Sequence, residues 1–312
     1  MGLSVLLLNQ IISMVLMALA GYALGRFSLV TGEQSRVLSY ICVYLAMPCS
    51  LIVSFGGQRE VEKLEGLALG LAAAVGIHIL FLSAGKLLSK GKYGLTNEEQ
   101  ASVLYNNAGN LIIPIVRSVL GAEYVIYTTP YLLVQNTLIW THGQALMGGR
   151  QELNIKQILT TPAIIGIITG LVIFIMRIPL PTPLYTAMEG LGGCIAPLSM
   201  LIIGIIFSEL DLRQILLYRR IYLVSLIRLL LLPLFSVLVL LGLKRIWPHS
   251  DSTNILTVNL LCSIGPTASL MTQQAQLFHN PNVKYVSAIN VLTTFICAIT
   301  MPVVMAAFLT LI

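Results

Sequence analysis

The sequence predicts an all-α polytopic membrane protein of ten transmembrane helices, arranged as two inverted repeats of five. Three observations carry this. Apolar residues fill 57% of the 312 positions and charged residues only 10%, against about 25% charged in a soluble domain. Apolar runs separated by short polar turns recur about ten times at the 20 or so residues that span a bilayer. Two of the runs are interrupted by glycine, proline and small polar residues at corresponding points of the two halves.

The runs lie at 5–26, 36–55, 66–88, 99–118, 124–148, 155–176, 185–207, 217–242, 252–276 and 282–311. Mean hydropathy is +0.90, which leaves no room for a soluble domain. The first run ends in Ala18-Leu19-Ala20, which mimics a signal-peptide cleavage site, but no Lys or Arg precedes it. A signal peptide has a positive n-region, so the run is read as the first membrane helix. The five cysteines (Cys42, Cys49, Cys194, Cys262 and Cys297) all fall in apolar runs without C-x-x-C spacing. They read as small core hydrophobes, and neither a disulfide framework nor a metal site is expected.

Basic residues orient the chain. With the N-terminus outside, the inner loops hold Arg26, Arg36, Lys86, Lys90, Lys92, Arg150, Lys156, Arg213, Arg219, Arg220 and Lys284. The outer loops hold the smaller set Arg59, Lys63, Arg117, Arg177, Lys244 and Arg245. The positive-inside rule therefore puts both termini outside the cytoplasm. The same bias accounts for the net charge of +6, so nucleic acid is not expected as a partner.

The halves 1–150 and 151–312 match in order. Gly21-x-x-x-Gly25 answers Gly166-x-x-x-Gly170, Pro48 answers Pro197, Gly109 answers Gly265 and Asn136 answers Asn290, each pair about half the chain apart. Five helices per half is an odd number, so the second half enters the membrane from the opposite side. That is the inverted repeat of alternating-access carriers.

The interruptions are the candidate site. The first is Asn106-Asn107-Ala108-Gly109-Asn110 followed by Pro114; the second is Ser263-Ile264-Gly265-Pro266-Thr267-Ala268-Ser269. Irregular backbone at membrane depth persists only where protein buries it or it lines a cavity. Proline frees carbonyls and amides from the helical ladder. Half-helix N-termini then offer N–H groups and partial positive charge to a carboxylate, with the amides and hydroxyls of both segments as further ligands. The alternative is a pair of proline kinks glued to neighbouring helices. The fifth helix adds Gln135, Asn136, Trp140, His142 and Gly143; the tenth adds Ser287, Asn290, Thr293 and Thr294. Asn136 and Asn290 fit either a substrate-orienting or a helix-gluing role.

Ionisable groups within spans are functional candidates. Arg228 lies two turns beyond Arg219 and Arg220. It can balance an anionic ligand, pair with carbonyls at a helix C-terminus, or snorkel to the surface. His78 and His142 are the groups inside spans that titrate near neutral pH, either in proton coupling or as helix–helix hydrogen-bonders. Glu189, Glu209 and Asp211 lie at span ends, and no acid lies mid-span. This argues against a carboxylate-based proton or sodium exchanger. Uniport, sodium held by carbonyls and hydroxyls, or proton movement with a weak acid remain. An intramembrane hydrolase is not expected, because no H-E-x-x-H or nucleophile–base set is present. No cofactor is expected.

At these residues the chain resembles the auxin efflux carrier family. Asn107-Ala108-Gly109-Asn110-Leu111-Ile112-Ile113-Pro114 running to Gly121, Tyr131 to Thr141, Ala196-Pro197-Leu198-Ser199-Met200 with Gly204, Pro266-Thr267-Ala268, and Arg228-Leu229 with Pro233 carry the likeness. It resembles the short prokaryotic members of that family, within the bile-acid/auxin superfamily. The resemblance implies that helices 4 and 9 cross at their breaks. Helices 1, 2, 6 and 7 would form a scaffold that homodimerises, and helices 3–5 and 8–10 a transport domain. The implied activity is elevator-type movement of an organic anion, such as malate, malonate or an auxin-like acid, across the plasma membrane. Asn107, Asn110, Pro114 and Gln135 would line the site from one half, and Pro266, Thr267 and Asn290 from the other. Ile113 stands where the family often has Gly, which narrows the site. The competing readings are a sodium-coupled organic anion symporter and a non-transporting membrane sensor.

Overall fold

The computed structural model describes residues 3–56, 64–92, 94–113, 115–116, 120–148, 160, 162–209, 218–247 and 250–312. Pro114 lies outside them, and so does the side chain of Asn110. Among the described residues the regular elements are helices, without a strand. In order they are α1 (Leu3–Arg26), α2 (Arg36–Ile41), α3 (Met47–Gly56), α4 (Leu64–Leu88) and α5 (Asn97–Leu104). Then come α6 (Thr129–Leu138), α7 (Gln144–Gly148), α8 (Pro162–Met176), α9 (Thr182–Gly193) and α10 (Ile195–Ser208). The chain closes with α11 (Arg219–Leu226), α12 (Leu232–Ile246), α13 (Ser252–Ser263), α14 (Ser269–Leu277) and α15 (Val283–Leu311).

Among the described residues, five stretches are long and apolar enough to cross a membrane: Arg36–Val53, Leu64–Leu88, Thr182–Ser208, Arg219–Ile246 and Val283–Leu311. The regions of both predicted interruptions do not qualify, because their helices stop where the sequence predicts. α5 ends at Tyr105, whose backbone is extended (φ −106°, ψ 133°). α13 ends at Ser263, and α14 begins only at Ser269. Within the other runs the ladder loosens into π turns at Cys42–Ala46, Ile139–Gly143 and Ile227–Leu231. Such turns often mark functional positions.

Glycine sets the closest packing. A Cβ on Gly204 of α10 would collide with the Ala18 carbonyl oxygen, and one on Gly21 of α1 with that of Leu201. α1 and α10 therefore meet backbone to backbone. A Cβ on Gly166 of α8 would lie 2.9 Å from Pro48 Cα, and one on Gly192 of α9 would lie 2.8 Å from Ser50 Cα. These glycines thus face helices of the same chain. α3, α8 and α9 pack together, while α4, α6, α12 and α13 form a second packed group.

Five of the turns meet at one end of the molecule. Gly32 N–H donates to Glu209 Oε1 at 2.6 Å, and Arg36 Nη1 lies 3.5 Å from His279 Nε2. Arg220 binds the Gly94 carbonyl at 2.8 Å, and Asn280 Nδ2 binds the Met147 carbonyl at 2.8 Å. α5 starts there in a capping box: Thr96 N–H donates to Glu99 Oε2 at 2.9 Å, and Thr96 Oγ1 accepts from Glu99 N–H at 3.3 Å. Burial raises the Glu98 carboxyl, but hydrogen bonds from Asn282, its own backbone and Asn280 outweigh this and hold it below its usual range. At the other end Tyr124, Asp251 and Asn254 form a hydrogen-bonded cluster.

Glu99 itself is buried and pairs with Arg220 through Nε–Oε1 (2.7 Å) and Nη2–Oε2 (2.5 Å), while the Tyr285 hydroxyl donates to it at 2.7 Å. Removing the guanidinium strands a buried carboxylate. Breaking a fully buried pair costs about 3–5 kcal/mol. Arg220 is 39% exposed, so Arg220→Met is expected to cost about 2 kcal/mol. A detergent melting curve should show the loss, and adding Glu99→Gln should recover part of it.

Candidate functional site

The two interruptions meet. Asn106 and Thr267 form an isolated antiparallel bridge, flanked by Asn107 N–H to Pro266 O and Ala268 N–H to Tyr105 O, both at 2.9 Å. The repeat match of Gly109 with Gly265 concerns equivalent positions of the halves; the residues that touch across the breaks are Asn106 and Thr267. A Cβ on Gly265 would lie 3.8 Å from Asn106 Cβ, and one on Gly109 would lie 3.7 Å from Leu132 Cδ2. Both are ordinary contacts, so backbone packing does not demand glycine at either position.

The outward backbone groups of the bridge would be orphans in hydrocarbon. The following helices satisfy them. Gln135 of α6 accepts from Asn106 N–H at 3.4 Å and donates to Asn106 O at 3.0 Å. On α15, Thr293 Oγ1 accepts from Thr267 N–H at 3.2 Å, and Asn290 Nδ2 donates to Thr267 O at 2.8 Å. Asn106 Nδ2 reaches the carbonyls of Cys262 (2.8 Å) and Ser263 (3.0 Å) and the Tyr131 hydroxyl (3.1 Å). Asn106, Gln135 and Asn290 therefore hold the backbone of the breaks.

Arg228 does the same with charge. It is fully buried, so the snorkelling alternative is overturned. Its π turn aims the side chain inward. Nε donates to Gly265 O at 3.0 Å, Nη1 to Val103 O at 3.1 Å, and Nη2 to Ser263 O. These carbonyls lie at or just beyond the C-terminal ends of α5 and α13, where a helix dipole favours a cation. The guanidinium also lies 5.6 Å from the centroid of the Phe81 ring.

A cavity of about 60 Å³ opens beside the bridge. Of the predicted site residues, Asn106, Asn107, Gly109, Gln135 and Asn136 line it. Ser263, Gly265, Pro266, Thr267, Asn290, Arg228, His78 and His142 do not; the first six sit in or behind the bridge. His78 donates from Nδ1 to the Ala74 carbonyl at 2.7 Å and stacks against Tyr131. His142 is hydrogen-bonded through Nδ1 to the Tyr105 hydroxyl at 2.8 Å. Ser50, Ser199 and Gln273 also line the cavity and are absent from the predicted set. Gln273 lies one helical turn beyond Ser269 and donates to Ser199 Oγ at 2.7 Å. An amide inside a predicted span was the signal available for it, together with Gln274 and Gln276.

Among the described residues the lining carries amides and hydroxyls but no charged side chain. Asn107 Nδ2 is buried and has no hydrogen-bond partner among the described residues. Beside it the N-terminus of α14 contributes Ala268, Ser269 and Leu270 to the wall, and Ala268, at the cap position, supplies no side-chain oxygen. An unused N–H donor next to the positive end of a helix suits an acceptor with negative charge.

The family model for auxin efflux carriers, described as membrane transport protein, matches residues 6–157. The chain belongs to the auxin efflux carrier family. It is therefore a membrane transport protein, and its long apolar helices make it a multi-pass one. No curated protein matches the chain. In this auxin efflux carrier family protein the matched stretch contains the first break and α6, while the second break lies beyond it. The Asn106–Thr267 bridge thus joins the matched half to the rest.

Proposed function

We propose that the protein is a secondary carrier, without catalytic activity, that moves a small organic anion across the plasma membrane by elevator-type alternating access. The ligand is a carboxylate such as malate, malonate or an auxin-like weak acid. The observation that carries this reading is Asn107, which lines a cavity beside the α14 N-terminus and whose buried Nδ2 has no hydrogen-bond partner among the described residues. The lining fits capture by neutral donors, which desolvates less charge than a fixed ion pair and keeps release easy.

In this account residues 1–150 and 151–312 are the inverted repeats. The packed group of α3, α8 and α9, with α1 and α10, is the scaffold and homodimerises. The group around α4, α6, α12 and α13 belongs to the transport domain and carries the crossing breaks. The end where Gly32, Gly94, Met147, Glu209 and Asn280 meet is cytoplasmic, with both termini outside. The sodium-coupled alternative is disfavoured, because the carbonyls of Tyr105, Asn106, Cys262, Ser263, Gly265, Pro266 and Thr267 already accept N–H donors. Of the buried side-chain oxygens there, Asn106 Oδ1 and Ser102 Oγ have no partner among the described residues.

The test is saturable uptake of radiolabelled malonate and malate into proteoliposomes. Uptake that persists when sodium is replaced by an organic cation is expected. A strict sodium requirement would favour the symporter, and no carboxylate uptake at all would contradict the function.

Ile113 lines the cavity, where the family often has Gly. A volume of about 60 Å³ is small beside the roughly 300 Å³ or more of drug-sized ligand sites. Ile113→Gly is expected to admit carboxylates too large for the parent, with uptake of aromatic acids rising relative to malonate. An unchanged size profile would remove Ile113 as the determinant.

A further inference from the structure

Arg228 carries a formal charge that the carbonyls at the C-terminal ends of α5 and α13 and the Phe81 ring offset in part, with no acidic side chain paired to it among the described residues. It is buried on all sides, and its three donor groups go to backbone carbonyls. Among the described residues it forms no ion pair. The ionisable groups that feel its charge are Tyr131, Cys297 and His78. Phenol and thiol are neutral at physiological pH, and a histidine adds no negative charge. Guanidinium does not shed its proton. A whole positive charge therefore sits at membrane depth, directly behind the cavity wall: Arg228 and Asn106 share the Ser263 carbonyl, and Asn106 lines the cavity. Such a charge is costly to hold unless something nearby offsets it.

We propose that Arg228 acts as the fixed countercharge of the cavity and makes it a site for a singly charged anion. This inference rests on the carboxylate-carrier reading and adds the charge of the ligand to it, so that of the acids named there it favours the auxin-like monoanion over the dianions malate and malonate. One negative charge in the cavity brings the buried region to neutrality. A dianion leaves one excess negative charge in a lining that holds no second cation among the described residues. Arg228 is a positioning residue, because carbonyls and Asn106 separate it from the ligand. The same arithmetic assigns the electrical step of the cycle. The loaded transport domain is neutral, and the empty one carries the charge across the field, where each charge is worth about 2.3 kcal/mol per 100 mV.

The experiment compares acids of equal chain length at a pH where both are fully ionised: propionate with malonate, and butyrate with succinate. Binding is read by thermal stabilisation of the purified protein. The wild type is expected to bind the monoanion of each pair about tenfold more tightly than the dianion. Arg228→Lys, which keeps the charge and loses the three-carbonyl fork, keeps that preference. Arg228→Gln, where it folds, loses the preference and binds the monoanion more weakly. In proteoliposomes, exchange of monoanion for monoanion should not respond to an imposed potential, whereas net uptake should.

Equal or tighter binding of the dianions by the wild type overturns the proposal, as does an intact preference in folded Arg228→Gln. Potential-dependent exchange of monoanions overturns it as well. Absence of binding by all four acids overturns the carboxylate reading itself, and the proposal with it.

Discussion

Gly204→Val is expected to yield no monodisperse protein. A Cβ at this position would collide with the Ala18 carbonyl oxygen and lie 2.6 Å from Tyr22 N. Both are backbone atoms of α1 and cannot swing aside as a side chain would. The reciprocal contacts at Gly21 and Gly25 are equally close, against Leu201 and Ser208, so α1 cannot slide along α10 to relieve the clash. Separating the helices forfeits the dispersion contacts along the seam. In lipid these contacts are the main source of helix association. Overpacking of this kind costs about 3 kcal/mol or more. Gly190→Ala and Gly193→Ala point into open space and serve as controls with unchanged elution and melting. Wild-type elution and melting of Gly204→Val would show that α1 and α10 do not meet this way.

The second large effect is on transport alone. Asn107→Leu is expected to abolish measurable uptake at ordinary substrate concentrations while melting within a few degrees of the parent. Among the described residues Asn107 Nδ2 has no hydrogen-bond partner, so its loss removes no internal partner there. A buried hydrogen bond to a charged ligand is worth about 1.5–3 kcal/mol, about one to two orders of magnitude in affinity. Asn106→Leu makes the contrast. It strips donors from the Cys262 and Ser263 carbonyls and a partner from Tyr131, and should lower the melting temperature sharply. If Asn107→Leu transports normally, this amide is not a ligand. If both variants melt alike, the division of labour between neighbouring asparagines is wrong.

That division shows where sequence reasoning stops. Gly, Pro and Asn in apolar runs mark the breaks, because these residue types disrupt a ladder that lipid cannot repair. Composition and positive-inside bias likewise mark the runs and their polarity. The partner of each break is a different matter. Asn106 and Thr267 are far apart in the chain, and a single antiparallel bridge has no periodicity to reveal it. Matching Gly109 with Gly265 by spacing relates the halves and does not say which residues touch.

Nor does residue type tell which amide holds backbone and which does not. Asn106 and Asn107 are chemically identical neighbours that both line the cavity, and only the fold shows that Asn106 Nδ2 is taken up by the Cys262 and Ser263 carbonyls. Arg228 was legible as intramembrane charge, but its direction was not. Its π turn has no sequence signature, and the turn aims it at Val103, Ser263 and Gly265. Gln273 was overlooked because it lies after the break, on a helix whose polar face looks like an ordinary interhelical seam.

The measurement that tests the central claim most directly is thermal stabilisation of purified wild type and Asn107→Leu against a panel of small carboxylates, with and without sodium. A ligand that binds only the folded state raises the melting temperature with its occupancy. The account predicts stabilisation of the wild type by at least one small carboxylate, independent of sodium and lost in Asn107→Leu. A panel that shifts neither protein, or a carboxylate that stabilises both equally, would contradict a carboxylate site at the crossing of the two breaks.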